Sequence, residues 1–140
     1  MKSNAQKIFE FHEAIGSPLP KRPLIPPPAA AIQLRQTLID EEYAEVTAAF
    51  QAIQTAQANG DIIDAAPLMH ELADLLYVVY GAMWAFGIDP DPIFAEVHRA
   101  NMQKAGGPRR ADGKLLKPPD WQPANVAGVI ARLQDGTDSD

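Results

Sequence analysis

The chain reads as an all-α protein, a four- to five-helix bundle. Three observations predict it. Apolar residues recur at helical spacing through its long segments. No stretch carries the period-two alternation of a half-buried strand. Proline and glycine gather between the periodic segments, where they interrupt helices.

The elements follow in order. A first helix is expected over residues 4–15, ended by Gly16. Pro18, Pro20, Pro23, Pro26, Pro27 and Pro28 then make a connector that cannot be helical and should run extended. A long second helix is expected over residues 29–59, with Ile32, Ile39, Tyr43, Val46, Phe50 and Ile53 as its core-facing stripe and Asn59-Gly60 as its C-terminal stop. Asp61 or Asp64 can cap a third helix that tolerates Pro67 in its first turn and ends near Gly87. Asp89-Pro90-Asp91-Pro92 reads as a turn into a fourth helix over 92–104, broken by Gly106-Gly107-Pro108. Residues 109–123 read as loop and 125–133 as a short last helix. One domain over residues 1–134 is expected, followed by an acidic, disordered tail over 135–140.

With 140 residues and a hydrophobic fraction of 46%, the chain is long enough for a real core. A net charge of −6 argues against nucleic acid and against an anionic membrane surface as partners. The longest apolar run, residues 75–88, is too short to span a bilayer. There is no cysteine, which removes thiolate metal sites and is compatible with a reducing compartment. Met1-Lys2-Ser3-Asn4-Ala5-Gln6 leads into no apolar signal core, so a cytoplasmic location is expected.

Five carboxylates carry the functional reading. Glu41, Glu42 and Glu45 stand in Glu41-Glu42-Tyr43-Ala44-Glu45, and Glu71 and Asp74 in Glu71-Leu72-Ala73-Asp74. Helical spacing puts each set on one side of its helix. A triplet such as the first is most often a solvated acidic face. The second set lies in a segment otherwise almost free of charge, where bare carboxylates are costly. Two acidic patches on facing helices make a cage for hard divalent cations, Mg2+ or its substitute Mn2+. Such a site suits in-line displacement at phosphorus.

An otherwise acidic chain concentrates its cations in Lys104, Arg109, Arg110, Lys114 and Lys117. They form either a solubilising loop or a lid that grips phosphate. Asn101 is either a helix-end polar residue or an amide for a base or sugar. His12 is either a surface histidine or a substrate contact, and Tyr77 either packs in the core or stacks on the substrate. His70 is expected to point away from the acids, and His98 has no assigned role. Tyr80 and Trp84 read as core or dimer interface, and Trp121 as a pocket cap or a loop anchor.

These strings resemble the signature of the all-α nucleoside triphosphate pyrophosphohydrolases, the superfamily of MazG, dimeric dUTPases and phosphoribosyl-ATP pyrophosphohydrolase. Phe11-His12-Glu13-Ala14, the run from Glu96 to Lys104, Arg110-Ala111-Asp112-Gly113-Lys114 and Pro118-Pro119-Asp120 extend the likeness across residues 11–121. The resemblance implies a dimerising helical bundle with Mg2+ held at Glu41, Glu42, Glu45, Glu71 and Asp74. It implies that water attacks the α-phosphorus to give a nucleoside monophosphate and pyrophosphate, with one of Glu41, Glu42 and Glu45 orienting or deprotonating that water. Substrate contacts are expected from His12, Tyr77, Asn101, Lys104, Arg109, Arg110 and Lys114.

The expected function is nucleotide-pool cleansing by a homodimer, or a tetramer, acting on a (deoxy)nucleoside triphosphate such as dUTP. The alternatives are phosphoribosyl-ATP hydrolysis in histidine biosynthesis and a non-catalytic helical dimerisation module.

Overall fold

Ser3 starts the first helix by closing a capping box with Gln6, each side chain meeting the other residue's backbone N–H. The computed structural model of the chain describes residues 1–136, and among them lie five helices: α1 Asn4–Ala14, α2 Ala29–Asn59, α3 Ala66–Ala85, α4 Pro90–Met102 and α5 Val126–Asp135. The only β pairing among the described residues is an isolated bridge between Arg109 and Leu115. The all-α class is thus observed. Of the tail expected over residues 135–140, Asp135 belongs to α5 and Gly136 is its C-cap, and the rest lies outside the described residues.

The chain divides into two compact units, residues 1–87 and the described residues from Ile88 onward. In the first, α2 packs along α3, and α1 packs on α3. The end of α2 is set by Gly60, whose φ of 72° is the left-handed conformation that favours glycine. Asp64 accepts a hydrogen bond from the Ala66 amide and so opens α3, with Pro67 in the first turn. Trp84 fastens α1 to α3: its ring lies 4.8 Å from Phe9 and its indole N–H donates to the Ala5 carbonyl at 2.9 Å. The proline-rich connector returns to the end of α3, where Leu24 N–H donates to the Phe86 carbonyl. At Gly87 the connector comes so close that an added Cβ would sit 1.9 Å from the Arg22 carbonyl oxygen. Only glycine fits there.

The stripe expected to face the core is partly corrected. Val46 is buried, but Ile32, Tyr43 and Phe50 are exposed. The shielded row instead runs through Ala31, Arg35, Leu38, Ile39, Glu42, Val46, Ala49, Ile53 and Ala56. A 31-residue helix with apolar residues on two flanks can present either flank, and α3 covers only one of them.

In the second unit, α4 starts at Pro90, two residues before the expected position. Asp89 is its N-cap and accepts from the Asp91 amide, which places Pro90 at the first helical position. Glu96 ties α4 to α5. Its carboxylate takes two bonds from Arg99 and one from the Asn125 amide at 2.7 Å, and these hold its pKa down at about 2. Trp121 is an anchor, donating to the Ala100 carbonyl at 2.9 Å.

Candidate active site

Three of the five carboxylates converge between α2 and α3. Glu42, Glu45 and Glu71 each bring an oxygen to within 4.8 Å of the others. Glu42 belongs to the shielded row of α2, Glu71 is half-buried on α3, and Glu45 is exposed and engages both. Burial above all, then the Glu45 carboxylate, raises the pKa of both Glu42 and Glu71 above the ordinary glutamate value. Asp74 adds its charge to the same group. One oxygen of Glu42 and one of Glu71 are buried and meet no hydrogen-bond donor. Among the described residues no lysine or arginine pairs with Glu42, Glu45 or Glu71.

Like charges at this spacing repel, and buried acceptors without donors are costly. An all-oxygen set with open valences fits a hard divalent cation, which would cancel that repulsion and supply positive charge for phosphate oxygens. Glu41 lies on the exposed side of α2 and outside the convergent trio.

His70 corrects its expectation. It does not point away from the acids: its Nε2 lies 3.0 Å from an Asp74 carboxylate oxygen, an i, i+4 pair on α3. The residues sit one turn apart on the same face, which adjacency to Glu71 in sequence does not reveal.

His12 is buried, so its surface alternative is removed. Burial, followed by the nearby Arg35 charge, lowers its pKa, with a Ser17 backbone contact opposing. Tyr77 meets Phe11 edge-on at 5.4 Å and lines a hollow with Asn4, Lys7, Ile8, Ala73, Leu76 and Tyr80. It is neither fully in the core nor fully free.

The remaining expected contacts lie in the second unit. Lys104 Nζ donates to Asn101 Oδ1 at 2.9 Å and stands 5.3 Å from the centre of the Trp121 ring, with Lys117 Nζ at 4.5 Å from the same ring. Arg109 donates to the Gly113 carbonyl, and Arg110 is forked onto Asp112. Arg110 N–H to Lys114 O and Leu116 N–H to Pro108 O turn residues 108–116 into a small hydrogen-bonded hairpin, a feature absent from the loop expectation. Lys114 is exposed.

Arg35 was missed by the sequence reading. It occupies the shielded row of α2 seven residues before Glu42, and that i, i+7 spacing is the signal that points to it.

The helical fold and the oxygen-only acid face on two packed helices fit a hydrolase that uses a divalent cation, and the family comparison gives the class: an all-α pyrophosphohydrolase of the MazG-like superfamily. The model of the family described as phosphoribosyl-ATP pyrophosphohydrolase matches residues 8–101, and the chain belongs to that family. The match runs from Ile8 in α1 to Asn101 in α4, and so includes all five carboxylates. The chain is accordingly a hydrolase of phosphoric anhydride bonds acting on a nucleotide. No curated protein matches it in sequence comparison. No single helix among the described residues is long and apolar enough to cross a membrane.

Proposed function

We propose that this protein is a cytosolic, Mg2+-dependent enzyme, one catalytic domain over residues 1–134, that hydrolyses a (deoxy)nucleoside triphosphate such as dUTP to the monophosphate and pyrophosphate. The observation that carries the reading is the convergence of Glu42, Glu45 and Glu71 within 4.8 Å, with buried oxygens that no donor satisfies. Glu41, Glu42, Glu45, Glu71 and Asp74 hold the cations, with Mn2+ able to replace Mg2+. One of Glu41, Glu42 and Glu45 orients or deprotonates the attacking water as the α–β anhydride bond breaks and pyrophosphate leaves. His12, Tyr77, Asn101, Lys104, Arg109, Arg110 and Lys114 bind the substrate, with the cationic segment closing on the phosphates.

Phosphoribosyl-ATP is the second reading, favoured by the family match over residues 8–101. Both substrates undergo the same bond cleavage, so one assay separates them. Pyrophosphate release is measured over dUTP, the other nucleoside triphosphates and phosphoribosyl-ATP, with Mg2+, with Mn2+ and with chelator. The expected result is one pyrophosphate per monophosphate, lost with chelator. Release of orthophosphate instead, or metal-independent turnover, would overturn the proposal.

The working unit is a homodimer in this reading. Ile32, Tyr43 and Phe50 on α2 and Met69 and Leu76 on α3 are all exposed. An apolar surface of this kind on two packed helices suits an isologous contact between two copies. Sedimentation at micromolar concentration should give twice the chain mass or, if dimers pair, four times. Leu76→Asp should shift it to monomer. A wild-type monomer would sink the dimer.

A further inference from the structure

The shielded row of α2 carries a second group without a partner. Arg35 is half-buried, its Nε is shielded from water, and that Nε meets no acceptor. Among the described residues no carboxylate pairs with it. Beside it stands His12, 8% exposed, whose Nδ1 is also buried and unpartnered. Gly81 on α3 makes room for both. A Cβ there would lie 3.0 Å from Arg35 Nη1 and 3.6 Å from His12 Nε2. Glycine inside a helix costs roughly 0.5–1 kcal/mol relative to alanine, so its use here has a local reason: the guanidinium rests against the α3 backbone.

A partly buried guanidinium whose Nε is cut off from water and unpaired gains from an anion that meets it. The acid trio has the opposite need. The two lie on one face, seven residues apart on α2, or about 10 Å along the axis. We propose that Arg35 binds an oxyanion, the pyrophosphate end of the substrate, with His12 as its neighbour at that site and Gly81 as the residue that leaves space for it. This rests on the reading above, in which the α-phosphate lies at the acids. The chain of phosphates must then run away from them, and a guanidinium suits its forked oxygens. A neutral nucleoside has no charge for Arg35 to meet. His12 adds a ring nitrogen there, Nε2, which donates when it carries the proton.

The test is calorimetric titration of the full chain, in Mg2+, with inorganic pyrophosphate and separately with a nucleoside monophosphate. Arg35→Gln should weaken pyrophosphate about tenfold or more, the scale of one lost charge-assisted contact. Monophosphate affinity and the Mg2+-induced rise in Tm should be unchanged. Arg35→Lys should fall between, because it keeps the charge and loses the fork. Gly81→Ala should fold, since only the mobile end of Arg35 must shift, and should weaken pyrophosphate in the same direction. If Arg35→Gln does not fold, the lysine and Gly81→Ala variants decide. Pyrophosphate affinity equal in wild type and variants, no pyrophosphate binding by wild type, or selective loss of monophosphate binding would each overturn the assignment. Pyrophosphate that binds through Arg35 in a protein hydrolysing no nucleotide would leave this inference standing and remove the proposed function instead.

Discussion

Glu45→Gln should lower turnover roughly 10²–10⁴-fold, the range expected when an enzyme loses a group that moves a proton or holds a charge at the reacting centre. Glu45 is the choice because it engages both Glu42 and Glu71. Removing its charge also relieves repulsion within the trio, so the metal-free fold should be as stable as wild type or more so. Pyrophosphate release and melting in chelator check the two halves together. A variant that keeps near-normal turnover would show that the acids serve structure alone. Glu71→Gln should behave alike, as the α3 member of the same trio.

Millimolar Mg2+ should raise the Tm, and the increment should shrink as pH falls. A ligand at a hundredfold excess over its Kd stabilises the folded state by about 2.7 kcal/mol. Protons compete for the same oxygens. Glu42 and Glu71 have folded pKa values raised above their ordinary 4.5, so the metal-free fold binds protons more readily than the unfolded chain just above that value. Their contribution to stability is therefore present at low pH and lost as pH rises through the raised values. His12 acts in the opposite sense, because its lowered pKa means stability is lost as pH falls below 6.5. The Glu contribution is isolated by subtracting the metal-free curve of Glu71→Gln from that of wild type. Glu96, held at about 2, contributes stability that is present above 4.5 and lost only in stronger acid, outside this window. A Tm unmoved by Mg2+ and Mn2+ at every pH would remove the cation site.

Residue order alone was enough for the helical class, the bounds of α2 at Ala29–Asn59, and the two acid strings that the structure brings face to face. Those are local matters. Spacing sets which residues share a helix face, and proline and glycine set where helices stop. Even the start of α4 was open to such reasoning, because Asp89 and Pro90 are a cap and a first-turn residue in sequence. Tertiary structure decided the rest. Periodicity shows that α2 has apolar flanks but not which one α3 covers, so Tyr43 and Phe50 could not be told from core residues. Convergence of Glu45 on Glu71 depends on the register between two helices, which no single-helix pattern contains. The grouping of Arg35 with His12 under Gly81 joins α2, α1 and α3. Each residue is ordinary in its own segment. Only packing buries His12 and Gly81 and shields the Arg35 Nε beside them, and that partial loss of water raises the value of an anion to the guanidinium.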